Sequence, residues 1–298
     1  MRLVYFGTPD DAVPPLDALL AAGHDVAFVV TQPDRRRTRG KGTDPTPVKQ
    51  AAIERGLPVY TPEKAREVVD EVAASGAEIG VVVAFGQLLP DALFEAVPLG
   101  FVNIHFSLLP RWRGAAPVER AILAGDVETG VGLMQIDTGL DTGPVFAQAR
   151  VPIEPDDTAG TLRGRLVELG SALLVENLPR LAQMTPLEQD GEPTYADKLD
   201  VEEFQLDPNQ PARILARLVR AGAPRPGAWF VAGGKRVKVN RAEAIDATVP
   251  IGVVNEKGVM GTAQGALQLD EVQPEGKRAM RGADWRRGIR AAVAVEPA

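Results

Sequence analysis

The sequence predicts an α/β protein: an N-terminal domain on a mostly parallel, doubly wound sheet, followed by a small C-terminal β-barrel. Three observations carry that prediction. Apolar strand-like runs alternate with helical spacings over the first two-thirds of the 298 residues, as in a parallel sheet with crossover helices. Residues 79–84 form a near-continuous apolar run, as in a strand buried on both faces. Beyond residue 211 the pattern changes to short strands separated by glycines, which suits a small barrel.

Element by element, residues 3–6 read as a strand and 13–22 as a helix, with Pro14 and Pro15 tolerated in its first turn and Gly23 at its end. Residues 26–31 are a second strand. Residues 46–55 are helical, with Pro47 near the start and Gly56 past the end. Val59–Tyr60 is extended, 64–74 helical, 79–84 a strand, 91–96 a short helix and 101–104 a strand. Residues 117–124 are helical, 130–135 and 145–152 form a strand pair, and 158–181 read as one long helix. Residues 190–207 lie in a stretch rich in Pro, Asp, Glu and Gln and read as a linker between domains 1–189 and 208–298. A helix over 212–220 then precedes strands at 228–232, 236–240, 252–255, 259–262 and 266–272.

Composition excludes several chemistries. There is no cysteine, hence no disulfide, thiolate metal site or thiol nucleophile. His24 and His105 are the two histidines, too few for a three-histidine zinc site, and no metal is expected. No Gly-x-Gly-x-x-Gly follows the first strand and no Gly-x-x-x-x-Gly-Lys-Ser/Thr occurs, which argues against a dinucleotide or ATP. No apolar run approaches the roughly 20 residues that span a bilayer, and the N-terminus lacks signal-peptide anatomy. A cytoplasmic protein is expected. Net charge is −7. Residues 205–298 carry 15 basic and 9 acidic side chains, a balance of +6, against 18 and 31, or −13, over 1–204. Such a basic part either meets a polyanion or merely solvates its surface.

In parallel sheets, ligands bind beyond the carboxyl ends of the strands. Asn103 and His105 stand two apart at such an end, so period two puts both side chains on one face. An amide and an imidazole there can hold a carbonyl oxygen and manage a proton. His24, in a helix-to-strand turn away from the strand tops, reads as structural. Asp137 and Asp141 sit between glycines in a second loop. A carboxylate near an imidazole orients the ring and raises its basicity, although Asp-Thr-Gly is also ordinary turn chemistry. After the second strand, five of the seven residues from Arg35 to Lys41 are basic: Arg35, Arg36, Arg37, Arg39 and Lys41. A positive patch at the binding edge of an acidic domain suits phosphate.

Asn103-x-His105 followed by Ser107-Leu108-Leu109-Pro110, with Asp141 in Leu-Asp-Thr-Gly, resembles the active site of the folate-dependent formyltransferases. Residues 6–10, 31–35, 108–117, 194–199 and 271–280 narrow the resemblance to the methionyl-tRNA formyltransferases, over nearly the whole chain. The resemblance implies a Rossmann-like catalytic domain and an OB-like barrel. It implies 10-formyltetrahydrofolate as donor and initiator Met-tRNA as acceptor, in a monomer. Asn103, His105 and Asp141 would be catalytic, the first two stabilising an oxyanion and the third orienting His105 and favouring its protonated form. Ser107, Leu108, Leu109 and Pro110, with Phe85, Gly86 and Leu88, would meet the folate; the basic loop would meet tRNA. The sequence departs from the family pattern at Phe106, at residues 223–227 and at Asn240. Two rivals remain: a formyltransferase acting on an amino-sugar nucleotide, which would not need the basic segments, and a catalytically inactive nucleic-acid-binding protein, which would not need the trio.

Overall fold

A computed structural model describes residues 1–36, 42–289 and 293–295. The chain separates into two compact units: residues 1–117, 128–152 and 163–196, and residues 118–127, 153–162 and 197–298.

The first unit is built on seven strands: β1 (Arg2–Gly7), β2 (Asp25–Val30), β3 (Val59–Tyr60), β4 (Ile79–Val83), β5 (Phe101–His105), β6 (Glu128–Gln135) and β7 (Val145–Pro152). Their order is β7-β6-β5-β4-β1-β2-β3. From β3 to β5 all pairings are parallel, whereas β6 runs antiparallel to β5 and β7 to β6. All five residues of β4 are buried, as the apolar run predicts. One core cluster gathers Val4, Phe6, Phe28, Val82, Phe85 and Phe101, with Phe6 edge-on to Phe85 and Phe101 at 5.2 and 5.3 Å between centroids. Gly80 makes this possible, because a Cβ there would lie 2.2 Å from the Phe101 ring. The crossover helices follow the sequence signals. In Pro47–Glu54 the N-cap Thr46 hydroxyl accepts the Lys49 N–H at 3.1 Å.

Two helices differ from expectation. Residues 65–68 are 3₁₀ and only Val69–Ala74 is α-helical; the Ala65 N–H is taken by the Gln87 side chain. The long helix is α over Ala159–Asn177 and 3₁₀ over Leu178–Gln183, since Pro179 removes a ladder donor. The stretch read as a linker is ordered. Tyr195–Ala196 pairs with Arg113–Gly114, and Phe204 and Leu206 are buried.

The second unit contains an antiparallel half-barrel sheet of six strands in the order β8-β9-β12-β11-β10-β13, where β8 is Ala228–Ala232, β9 Lys235–Ile245, β10 Val253–Val254, β11 Val259–Gly261, β12 Ala266–Pro274 and β13 Val293–Ala294. β9 is longer than predicted because register shifts around Arg241 carry the pairing past the expected end. Leu215 and Val219 of helix Ala212–Ala221 pack into the core with Phe230 and Trp285, the two rings edge-on at 5.6 Å. Residues 118–127 belong with this unit: the Arg120 guanidinium pairs with Glu203 at 2.8 Å and reaches the Asp197 carbonyl.

Asp270 is a cost within this sheet. Its Oδ2 is buried without a hydrogen bond, 3.7 Å from Arg241 Nε. Burial, then the neighbouring Glu243, push its carboxyl above the ordinary range, against a smaller opposing pull from Arg241. A raised folded pKa means stability is greatest below the unfolded pKa and falls as pH rises through the folded one. Asp270→Asn is therefore expected to raise the thermal midpoint at neutral pH. The gain should vanish near about pH 3, below the carboxylate range. Scanning calorimetry across that window checks it; an equal gain at both ends would contradict it.

Candidate active site

β5 lies between β4 and β6, with Asn103 opposite Val82 and Met134, and His105 opposite Gly132. Both side chains leave the same face of the strand. His105 is 5% exposed. After Phe106 the chain turns sharply: the buried Ser107 hydroxyl donates to the Arg111 carbonyl at 2.6 Å, and Trp112 sits at φ 63. That turn aims the Trp112 carbonyl at His105 Nε2, 2.9 Å away. The other ring nitrogen, Nδ1, faces Asp141 Oδ2 at 3.5 Å, an ion-pair distance. Both ring nitrogens therefore face oxygens, Nε2 the Trp112 carbonyl and Nδ1 the Asp141 carboxylate.

Asp141 arrives from the loop between β6 and β7, and its Oδ2 accepts the Gly114 N–H at 2.8 Å. The two carboxylates of this loop have separate tasks. Asp137 Oδ1 accepts from the Gly139 N–H at 3.1 Å and the Thr142 hydroxyl at 2.7 Å, closing a turn. Asp141, at φ 52, faces the histidine. His24 stands apart at the turn before β2, where its N–H donates to the Leu19 carbonyl.

The expected folate residues fall in two groups. Ser107 to Pro110 follow β5 out of the sheet, with the Leu108 side chain against Gly130 and the Leu109 carbonyl accepting from Gln148 at 3.1 Å. Phe85 and Gly86 line a cavity of about 520 Å³, together with Thr8, Asp10, Gln32 and Thr46. Phe85 contributes main chain there. Its ring is 1% exposed in the core, and its carbonyl accepts from Thr8 and Gln32 at 2.8 and 2.9 Å. Leu88, 88% exposed, borders a neighbouring cleft of about 610 Å³ with Lys64, Arg66 and Gln87. Phe106 is buried close to Gly170. Helix Ala159–Asn177 approaches the sheet closely at Gly170, where a Cβ would meet Ile104 at 2.8 Å. The aromatic departure from the family pattern is thus packed beside the site strand. Asn240 donates to Glu271 at 2.8 Å.

Of the basic loop, the backbone of Arg35–Arg36 pairs with Thr43–Asp44, while Arg37, Arg39 and Lys41 lie outside the described residues. The loop is anchored at its start by Asp34, whose two carboxylate oxygens both accept from Lys49 Nζ at 2.8 Å. Among the described residues no group of three or more His, Asp and Glu is placed to hold a metal, and no helix is long and apolar enough to cross a membrane.

Sequence reasoning missed Trp112, Gly114, Gln189 and Thr194, which hold the site together. The Thr194 hydroxyl accepts the Trp112 N–H at 2.9 Å, and the Gln189 amide donates to the Asp141 and Gly143 carbonyls. Trp112, Gly114 and Thr194 lie within the segments that carry the family resemblance, whereas Gln189 had no signal in the sequence.

Family models described as formyl transferase and formyl transferase, C-terminal domain match residues 1–178 and 198–290. A methionyl-tRNA formyltransferase of Paracoccus denitrificans is 47% identical over 97% of this chain and 98% of its own. Among solved structures, HypX from Aquifex aeolicus in complex with tetrahydrofolic acid aligns with TM-score 0.65 at 17% identity, over 96% of this chain and 46% of that one. This chain thus spans about half the length of that protein. An N-formyltransferase from Helicobacter canadensis, solved with folinic acid and dTDP-3-aminofucose, aligns with TM-score 0.64 at 19% identity, over 90% and 97% of the two chains. At such identities these two structures share the fold alone.

Proposed function

We propose a reaction path from one premise: this chain belongs to the methionyl-tRNA formyltransferase family. It is a one-carbon transferase that formylates the amino group of methionine on initiator tRNA, using a folate. The donor is 10-formyltetrahydrofolate, and the enzyme works as a cytoplasmic monomer. Residues 1–189 carry the chemistry. Residues 190–207 connect them to 208–298, whose excess of basic side chains meets the tRNA together with Arg35, Arg36, Arg37, Arg39 and Lys41.

The neutral methionine amine attacks the formyl carbon, and the carbonyl electron pair moves onto oxygen. The Asn103 amide and the His105 ring stabilise that oxyanion. With Nε2 anchored on the Trp112 carbonyl, Nδ1 is the nitrogen that acts, beside Asp141. Asp141 orients the ring and passes the amine proton on toward the folate nitrogen as the C–N bond to the donor breaks. The observation that carries this reading is the pair of buried His105 and half-buried Asp141 at 3.5 Å, held from both ends by main chain. The folate lies against Ser107, Leu108, Leu109 and Pro110, with Phe85, Gly86 and Leu88 lining its approach.

The test is formyl transfer from 10-formyltetrahydrofolate to methionyl initiator tRNA, free methionine or an amino-sugar nucleotide. Transfer to the charged tRNA alone is expected. Transfer to the amino sugar instead, or tRNA binding with no transfer to any acceptor, would overturn the proposal. Affinity for tRNA should fall steeply with salt, because each phosphate contact releases condensed counterions that added salt returns. A flat salt profile would remove the basic loop from the interface.

A further inference from the structure

We propose that Gln189 is a positioning residue for this reaction: it holds the Asp141 loop in the conformation that sets the carboxylate against His105. The proposal rests on the catalytic reading of His105 and Asp141 given above. Asp141 occupies φ 52, in the left-handed region that aspartate enters more readily than most residues but that still has to be held by its neighbours. Gln189 supplies that constraint. Its Nε2 donates to the Asp141 carbonyl and to the Gly143 carbonyl, each at 2.8 Å. The two hydrogens of one amide thus fix the main chain on both sides of Thr142, and with it the direction in which the Asp141 side chain leaves.

Gln189 is itself fixed. Its Oε1 accepts from Arg113 Nε at 3.0 Å and from the second terminal nitrogen of that guanidinium at 2.7 Å. The Arg113 N–H donates to the Thr194 carbonyl at 2.8 Å, and the next residue, Gly114, donates its N–H to Asp141 Oδ2. Two routes therefore join the 111–114 turn to the Asp141 loop, one through Gly114 and one through Arg113 and Gln189. Leu187 pairs with Val145 in an antiparallel bridge, which seats Gln189 over the loop. Only a primary amide offers two donors and an acceptor in this arrangement. A carboxylate in its place keeps the bond to Arg113 through one oxygen but turns the other, an acceptor, against both carbonyls.

The experiment is a double-mutant cycle of Gln189→Glu and Asp141→Asn, read as kcat and KM for both substrates. Gln189→Glu retains the Arg113 partner and is expected to lose about 10²-fold in kcat, the cost of displacing a reacting group by about 1 Å. KM for each substrate should stay close to the parent value. On the Asp141→Asn background the same change should cost little more, because residues acting through one group are not additive. A merely structural role predicts the reverse: equal loss on both backgrounds, tracking the thermal midpoint. Parental turnover in Gln189→Glu, or a fully multiplicative loss, overturns the proposal. Parental turnover in Asp141→Asn overturns the catalytic reading beneath it, so the two failures are told apart. If the glutamate variant does not fold, Gln189→Met, similar in size and without the amide, runs the same cycle.

Discussion

His105→Ala and Asn103→Ala are each expected to lower kcat for formyl transfer by about 10²–10³-fold, the usual loss on removing one donor to a developing oxyanion. The effect should fall on turnover rather than on the fold. Without the ring, the Trp112 carbonyl loses its Nε2 partner. The turn keeps the Ser107 bond to the Arg111 carbonyl, the Thr194 bond to the Trp112 N–H and the pairing of Arg113 with Thr194. Asn103 stands between buried Val102 and Ile104 on a strand paired at both edges, so its truncation leaves the sheet ladder intact. Single-turnover formylation of charged tRNA, beside a thermal melt of each variant, checks both halves. Near-parental turnover in either variant would remove that residue from the mechanism. In the proposed mechanism both donors serve one oxyanion, so the double variant is expected to lose less than the product of the two single losses.

Much of this site was legible in the sequence because its signals are local. Asn103 and His105 are readable from period two at the end of an apolar strand, and β4 from five consecutive buried residues. The alternation of elements gave the first sheet, and glycine-spaced short strands gave the second. Less local features were not legible. Asp137 and Asp141 look alike in a glycine-flanked loop; only their partners, Thr142 within the loop and Gly114 from another segment, distinguish turn former from site residue. Phe85 reads as a site aromatic, yet its ring fills the core and only its main chain lines the cavity, a distinction that depends on packing against Phe6. The 190–207 stretch reads as a linker because Pro, Asp, Glu and Gln carry no periodicity. Its pairing comes instead from a bond 82 positions along the chain, between the Trp112 N–H and the Thr194 hydroxyl. Two-residue pairings such as Arg113–Gly114 with Tyr195–Ala196 are too short for any periodic signal. Helix Gly282–Arg287 went unseen because Trp285 is its one large apolar anchor.

Gly114→Ala is expected to lower turnover by about 10²-fold through geometry alone, although the residue has no side chain to contribute. Its φ of 122 lies in the region that glycine alone enters readily, and a Cβ there would sit 2.8 Å from the Ala196 carbonyl. The clash is with backbone, so the chain must give. One route moves Tyr195–Ala196 away and loosens its pairing with Arg113–Gly114. The other rotates the Gly114 peptide and withdraws the N–H from Asp141 Oδ2. Either route frees the carboxylate from the position opposite His105. Backbone strain of this kind also costs about 1–3 kcal/mol in stability, so the loss of turnover has to be separated from it. Gly76→Ala is the control. Gly76 has φ 69 and nothing nearer to a new Cβ than the Arg2 side chain at 3.9 Å, and it lies between helix Val69–Ala74 and β4. It should lower the thermal midpoint by a comparable amount and leave kcat at the parental value. If Gly114→Ala loses no more turnover than Gly76→Ala does at matched stability, the hydrogen bond from Gly114 to Asp141 has no part in catalysis. A selective loss in kcat ties the turn after β5 to the carboxylate through a single N–H.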